Sequence, residues 1–528
     1  MKINLININS LLIILFPFAL VSGPLIPEIF VFILVFSFLY LALSKKDYYY
    51  FNNNFVKIFS LFFILINISS FINFNFISIK SSIFYFRFGL FALAIFYFLN
   101  ENDKLLNLFF KSLTLLIFIF FIDSIYQFFY KVNLIGLVQN LNGRISSFFG
   151  EELIMGSFFS KLFLFYISIM IWIKPRKKIL EMLIIVFVFF TLVYLSASRT
   201  ALVSFFLSLI LLFLILKNYK IFFLLIPIMG IMIFLINQYD DGKFKRLYNH
   251  TIHQLFEGSS SFNFLSQRHH THFLTAYNIF LDHKIFGAGP KSFRMLCDND
   301  KYIPYSFIEE ANLIKAKADG ELVFKLSNLN KLDKRFNGGK EFVVTDAIFD
   351  YFLIYPHREI KPMRDYIPRF SDNNMKTLEV FLAQKNKKIT KIEIRNVKEF
   401  ILLVRNKNVK KNQIIGKTKK QYPNGCNTHP HNFVLQILSE TGLVGLTFYV
   451  GVIFYLLLGL LNFLTKTNLF NKIFKYNVET KVSLMFASYL VFFFPLLPSG
   501  NFFNNWLSLM IYLPLGFLLK LIYIKKNN

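Results

Sequence analysis

Long apolar runs follow one another along most of the chain, and short polar loops separate them. A run of about 18 or more apolar residues is long enough to cross a bilayer as an α-helix. By this rule the pattern predicts about twelve transmembrane helices, and hence an all-α polytopic membrane protein. The predicted spans are 8–22, 25–44, 55–74, 82–99, 105–130, 153–173, 179–196, 200–216, 221–237, 443–463, 482–500 and 506–524.

One long polar segment, from about 238 to 430, interrupts this pattern. Its first part contains an amphipathic stretch, which predicts a helix on the membrane surface. The apolar residues of that stretch are Phe273, Leu274, Tyr277 and Leu281. Its later part has alternating, β-branched stretches between Asp-Gly and Gly-Gly turns, which predict a β-rich insert. The predicted domains are helices one to nine (1–237), the helical segment (238–296), the insert (297–426) and helices ten to twelve (427–528).

Basic residues are distributed unequally between alternate loops. With the N-terminus in the cytoplasm, most lysines and arginines of the short loops fall inside, and the short outer loops hold only Lys80, Lys131, Arg144 and Arg199. The positive-inside rule therefore places the long polar segment outside the cytoplasm, since long loops translocate regardless of charge. The net charge of +28 needs no nucleic acid to explain it, because the polar segment contains no recognisable DNA- or RNA-binding module.

The chain has two cysteines, Cys297 and Cys426, and they flank the predicted insert. In an oxidising compartment, a disulfide that closes the neck of the insert is the favoured interpretation. The alternative is two unrelated thiols.

Charged residues at membrane depth are costly and are therefore functional candidates. Arg199 lies between two spans that almost no loop separates, and arginine binds phosphate with a planar fork. Position alone also allows an arginine that snorkels to the headgroups. Arg268 begins the amphipathic stretch, where a solvated charge is the alternative. The loop alternation places Arg144 and the histidines His429 and His431 at the same outer surface.

The histidine pair opens the tenth predicted span. Pro430 suits the first turn of a helix, and Thr428 is expected to cap it. His431 would then lie at the positive end of the helix dipole, which disfavours protonation of the imidazole. A neutral imidazole beside an acceptor hydroxyl is a competent general base. A histidine that is hydrogen-bonded at the lipid interface is the alternative.

The same helix carries other polar and small residues. Glu440 lies deeper in the span and needs a polar partner. Gly442 and Gly445 predict a small-residue face for close helix packing. Three more histidines precede the insert: His269, His270 and His272. Their spacing alone supports zinc weakly, so we expect no metal.

Four stretches of the chain resemble recurring elements of the O-antigen ligase and O-antigen polymerase superfamily of bacterial inner membranes. They are "GRISSFFGEELIMGS" (143–157), "SASRTAL" (196–202), "HKIFGAGPKSF" (283–293) and "HNFVLQILSETGLVG" (431–445). The last fits a family pattern of His, Asn, nine residues and Gly-x-x-Gly. Their order, the number of spans and the large outer loop agree with the family, and the match covers most of residues 140–450.

This resemblance implies a GT-C-like glycosyltransferase whose active site faces the periplasm. The donor would be a glycan on undecaprenyl pyrophosphate, and the acceptor a hydroxyl of lipid A-core. By motif, Arg199 and Arg268 would hold the pyrophosphate and His431 would remove the acceptor proton, with no metal or other cofactor. Further substrate contacts are expected from Arg144, His429, Asn432 and Glu440. The β-rich insert departs from the family pattern and leaves the acceptor open.

Three other functions remain open at this point. A polymerase would extend the glycan on its carrier by similar chemistry. A transporter or flippase would bind an anionic substrate near the bilayer midplane, where the chain offers only Arg87 and Asp123. A structural anchor for the insert would not need about twelve spans.

Overall fold

The computed structural model describes residues 5–139, 143–174, 179–249, 251–252, 267–297, 299, 301–302, 309–316, 322–326, 341–344, 375–383, 389–394, 414–420, 426–467, 470, 473 and 478–523. The chain forms two compact units. The first comprises Met1–Thr251, His283–Ser292 and Asn432–Asn528. The second comprises Ile252–Asp282 and Phe293–His431.

The described helices run in chain order as α1 (Leu5–Val21), α2 (Leu25–Ser44), α3 (Asn54–Ile72), α4 (Phe76–Ile83), α5 (Phe86–Glu101), α6 (Leu105–Tyr130), α7 (Met155–Ile173), α8 (Ile179–Leu195), α9 (Arg199–Leu216), α10 (Tyr219–Tyr239), α11 (Gly242–Phe244), α12 (Gln267–Asp282), α13 (Phe293–Leu296), α14 (Phe433–Thr465), α15 (Thr480–Phe492) and α16 (Asn505–Ile522). All except α12 and α13 belong to the first unit. A π-helical turn, Lys245–Asn249, follows α11.

The helices of the first unit have the length and composition of membrane spans. In the described part of the chain, eight are long and apolar enough to cross a bilayer: α2, α3, α4 with α5, α6, α7, α9, α14 and α16. The bent pair of α10 and Gly242–Tyr248 would make a ninth, and α1, α8 and α15 are shorter apolar helices. The predicted all-α polytopic architecture is therefore confirmed, while the number of twelve spans stays a prediction.

Helices α5 and α7 lie at the centre of the first unit. Helix α5 packs against α2 and α16, and α7 packs against α8, α9 and α15. Phenylalanine fills much of this core, as in the pair Phe163 and Phe205, whose ring centroids are 4.9 Å apart. Such aromatic pairs stabilise packing beyond the area that they bury.

The intramembrane residue Arg87 is neutralised within the bundle. Its Nε lies 3.1 Å from Oε2 of Glu28, and its Nη2 lies 3.3 Å from Oε1 of the same carboxylate. Pairing of this kind offsets the cost of placing a charge among helices. Arg87 therefore has a structural partner that accounts for its position.

Helix α14 is broken at Gly442, which has φ of 67° and ψ of −163°. This conformation is open essentially to glycine alone. The segment 283–292 runs beside the break and forms bonds with the freed backbone groups. Its Ala288 and Gly289 donate to the carbonyls of Ser439 and Glu440 at 2.9 and 2.8 Å. In a membrane each freed backbone group needs such a partner. A small residue is needed at Gly442, as expected, and its close neighbour is the backbone of Ile285 in this segment.

The second unit contains strands in the region of the predicted insert. They are β1 (Glu309–Ala316), β2 (Leu322–Leu326), β3 (Glu341–Val344), β4 (Met375–Ala383), β5 (Ile389–Ile394) and β6 (Ile414–Lys420). They form one antiparallel sheet in the order β3-β2-β1-β6-β4-β5. The first and last strands are thus neighbours, with Glu309 opposite Lys420. The rest of residues 297–426 lies largely outside the described residues.

A disulfide joins Cys297 and Cys426, whose Cα atoms are 4.8 Å apart. These residues stand before β1 and after β6 in the chain. The covalent link therefore closes the segment that contains all six described strands, 129 positions along the sequence.

Candidate functional site

A buried acidic residue fixes the loop that leads to Arg144. Asp123 on α6 is fully buried, and its Oδ1 accepts the backbone N–H of Leu134 at 2.7 Å. Its other oxygen accepts the hydroxyl of Ser147, and Gln127 accepts the backbone N–H of the same serine at 2.9 Å. These bonds hold both ends of the loop against α6. Asp123 thus has a structural role, which is to hold this loop in place.

The turn between α8 and α9 is the centre of an arginine cluster in the first unit. Helix α8 ends at Leu195 and α9 begins at Arg199, so the turn consists of residues 196–198. Arg144 donates from Nε to the carbonyl of Ser196 at 3.1 Å and from Nη2 to that of Leu153 at 2.9 Å. Arg246 donates from Nε to the carbonyl of Ala197 at 3.2 Å.

The three guanidinium groups of this cluster repel one another. Burial, together with the nearby charges of Arg246 and Arg199, lowers the pKa of Arg144 to about 10. Arg144 remains protonated at neutral pH despite this shift. Within the described residues, neither Arg144 nor Arg246 forms an ion pair with a carboxylate. A cluster of this charge favours an anionic ligand.

Arg246 is the member of this cluster that the sequence analysis missed. It lies on the π-helical turn after α11. Ion pairs hold the start of this turn, since Asp240 lies 3.0 Å from Lys243 and 3.2 Å from Lys131. The only signal in the sequence was a charged stretch, Asp240–Arg246, immediately after an apolar run.

A second cluster, in the second unit, consists of histidines around His431. Its ring centroid lies 4.2 Å from that of His429, 5.1 Å from that of His272 and 5.7 Å from that of His269. Burial lowers the pKa of His431 below its ordinary value. The ring is therefore neutral at physiological pH, which a general base requires.

Polar neighbours orient these rings. Nδ2 of Asn427 lies 3.0 Å from Nε2 of His431. An amide nitrogen can only donate, so Nε2 accepts and the proton of this neutral ring is on Nδ1. The hydroxyl of Thr428 lies 2.9 Å from Nδ1 of His429. Among the described residues, no group of three or more His, Cys, Asp or Glu side chains is arranged to hold a metal ion.

Helix α12 is present, as predicted, and Arg268 lies in its first turn, although the side chain of Arg268 is outside the described residues. The location of this helix on the membrane surface stays a prediction. The residues that are buried are His272, Thr275, Ala276 and Ile279. Tyr277 and Leu281 are exposed, because the helix buries the neighbouring stripe at i, i+3, i+4 and i+7.

The start of α14 differs from the prediction. Asn432 caps the helix, since its Oδ1 accepts the N–H of Leu435 at 3.1 Å, while its Nδ2 donates to the carbonyl of Pro495 at 2.8 Å. The expected cap, Thr428, and the expected first-turn residue, Pro430, both precede the helix. An asparagine side chain directly before the first turn is a stronger cap than a more distant threonine.

Glu440 has the polar partner that its depth required. It is fully buried, and its Oε2 accepts from Nε2 of Gln436 at 3.0 Å. The same amide donates to Oδ1 of Asn501 at 2.7 Å. These bonds hold the first half of α14 to the chain before α16, and a contact of Glu440 with substrate stays a prediction.

Comparison with known proteins identifies part of this architecture. Residues 183–313 match the family model described as O-Antigen ligase. The matched region contains Arg199, Arg246 and Arg268, and ends before His431. No curated protein and no solved structure matches the chain. The resemblance to the O-antigen ligase and polymerase superfamily that was noted in the sequence is therefore confirmed over residues 183–313.

Proposed function

We propose that the chain is a ligase that moves a glycan from undecaprenyl pyrophosphate to an acceptor hydroxyl, with lipid A-core as the expected acceptor. The observation that carries this proposal is the O-antigen ligase match over residues 183–313, which contains Arg199 and Arg268. The match also supports a glycosyltransferase over a transporter. We propose that the protein lies in the bacterial inner membrane with about twelve spans. The distribution of basic residues between the loops supports an active site on the periplasmic face.

The proposed role of Arg199 and Arg268 is to bind the pyrophosphate of the donor. Negative charge builds up on this leaving group as its bond to the sugar breaks. Guanidinium groups that are already oriented stabilise that charge without reorganisation, and each can bind phosphate oxygens with two parallel hydrogen bonds. The crowding of arginines at the turn before α9 supports this role for Arg199.

The proposed role of His431 is to accept the proton of the attacking hydroxyl. The acceptor oxygen forms a bond to the anomeric carbon, and the bonding electrons of the old linkage leave with undecaprenyl pyrophosphate. The hydroxyl proton passes to Nε2, where the hydroxyl takes the place of Asn427. A single displacement of this kind inverts the anomeric carbon. The lowered pKa of His431 supports the role, because the ring is ready to accept a proton at neutral pH.

The remaining polar residues are proposed to support the substrate. Arg144 contacts the turn directly before Arg199, and His429 contacts the ring of His431. Asn432 and Glu440 hold the first half of α14 in place. We propose further that the segment 297–426 is a β-rich periplasmic insert that binds glycan or restricts access of the acceptor.

The test is genetic and biochemical. A strain that lacks the gene is expected to accumulate lipid-linked polymer, and the wild-type chain is expected to restore the lipopolysaccharide ladder. His431→Ala should be inserted at normal abundance yet fail to restore it. Accumulation of single repeat units instead of polymer would assign the chain as an O-antigen polymerase. Normal transfer by His431→Ala would remove the histidine from the mechanism.

A further inference from the structure

The arginines around residues 196–198 do not use their donors in the same way. Arg144 donates from Nε and Nη2, which form one edge of its guanidinium group, to the carbonyls of Ser196 and Leu153. Within the part of the chain that the structure describes, Arg246 donates only from Nε, to the carbonyl of Ala197. Among the described residues, this contact leaves both terminal amino groups of Arg246 as an open fork. The two side chains therefore differ in what they can offer a ligand.

The surroundings of this fork favour a ligand with more than one negative charge. Three guanidinium groups meet at one short turn, and all three are only partly exposed. Like charges at a partly buried site repel more strongly than in water, so their crowding costs free energy in the unliganded protein. Helix α9 also begins here without a side-chain cap, which leaves the positive end of its dipole at the same turn.

We propose that Arg246 is a substrate-binding residue whose terminal amino groups bind the donor pyrophosphate, and that Arg144 is a positioning residue that holds the turn carrying Arg199. The identity of the ligand rests on the proposed function. A pyrophosphate diester has two negative charges and several non-bridging oxygens, which match an open guanidinium fork. The shift in the pKa of Arg144 agrees with the crowding of cations.

The first test measures binding alone, with inorganic pyrophosphate as the probe. The full chain is reconstituted in lipid nanodiscs, and binding is followed by calorimetry at pH 7.5. Arg246→Gln should weaken binding about tenfold or more, since charged hydrogen bonds are lost. Arg246→Lys should bind pyrophosphate more weakly than the wild type but more tightly than Arg246→Gln, because lysine keeps the positive charge and lacks the planar fork. Arg294→Gln, at an exposed arginine on α13, is the control and should bind like the wild type.

Two results would overturn the assignment of Arg246. One is Arg246→Gln binding pyrophosphate as tightly as the wild type. The other is a wild-type protein that does not bind pyrophosphate. The thermal stability of each variant, measured in the same nanodiscs, shows whether a loss of pyrophosphate binding comes from misfolding. If Arg246→Gln is unstable, the binding of pyrophosphate by Arg246→Lys tests the assignment instead.

Arg144 is tested by a double-mutant cycle with Arg199. Arg144→Gln should weaken pyrophosphate binding in the wild-type background and have little further effect in Arg199→Gln, because it acts through that residue. Equal losses in both backgrounds would show that Arg144 does not act through Arg199.

A transfer assay separates this inference from the proposed function. With a lipid-linked glycan donor, Arg246→Gln should raise KM more than it lowers kcat. Weaker pyrophosphate binding by the variant, together with no transfer by the wild type, would leave the anion site standing and reject the function. Normal transfer and normal binding by the variant would reject the inference and leave the function standing.

Discussion

Leu443 donates its backbone N–H to the carbonyl oxygen of Lys284 at 2.8 Å, across the break in α14. Gly289 donates to the carbonyl of Glu440 on the other side of the break, also at 2.8 Å. Bonds to the segment 283–292 therefore replace helical bonds that α14 loses at Gly442. Two of the stretches that resembled the O-antigen ligase superfamily are thus partners in one structural feature.

Gly442→Ala should destabilise the protein. A Cβ at this position would overlap the carbonyl oxygen of Ile285, and φ of 67° is unfavourable for alanine. We expect a loss of about 2 kcal/mol or more in unfolding free energy, seen as a lower melting temperature of the purified protein. Gly451→Ala is the matched control on the same helix, because no atom lies within 4 Å of its added Cβ. Equal melting temperatures for both variants would contradict this account of the break.

The rate of glycan transfer should fall in acid. The proposed base, His431, can accept a proton only when its ring is neutral, and burial lowers its pKa below the ordinary histidine value of about 6.5. The rate should therefore stay level as the pH drops from 8 towards that value, and decline only below it. The measurement is an initial-rate profile at saturating donor.

Asn427→Ala provides the check on this acidic limb. Its amide donates to the neutral ring, so its removal should raise the pKa of His431 and move the decline to higher pH. A profile that Asn427→Ala leaves unchanged would argue against His431 as the titrating group.

Arg199→Lys should reduce transfer by about tenfold to a hundredfold. Lysine keeps the positive charge but presents a point charge in place of a planar fork, so it cannot make the bidentate contact with phosphate that is proposed for Arg199. The measurement is kcat/KM with the lipid-linked donor. Arg294→Lys makes the same change at an exposed arginine and should leave the rate unchanged. A normal rate in Arg199→Lys would reduce its role to one of charge alone.

Labelling of single cysteines should report the orientation of the second unit. In Cys297→Ser the partner thiol Cys426 is released from the disulfide. In intact cells with a permeabilised outer membrane, a membrane-impermeant maleimide should react with it. Lys217→Cys in a cysteine-free background, at the end of α9 that is predicted to be cytoplasmic, should react only after lysis. The reverse pattern would invert the proposed topology.

Much of the helical framework could be predicted from hydropathy, because the membrane imposes length and composition on each span. Helix α2 begins and ends at the residues predicted, 25 and 44. The start of α14 could not be predicted in the same way. Its cap and its break depend on Pro495 and the segment 283–292, which are distant in sequence.

The candidate site was also only partly predictable. Arg199 could be found because its neighbours in sequence already set it apart from ordinary loop charges. Arg246 could not, since its importance comes from one contact with Ala197, 49 positions away. Local patterns identify residues whose chemistry is unusual for their place in the chain, and tertiary contacts decide which of them share a surface.

The disulfide between Cys297 and Cys426 fastens the two ends of a large excursion within a few ångströms of each other. A segment that leaves and rejoins the rest of the chain at one place can become longer or shorter, or take another fold, without moving the chain on either side of it. Under the proposed function, evolution could therefore change this segment to suit a new glycan without redesigning the helices of the first unit.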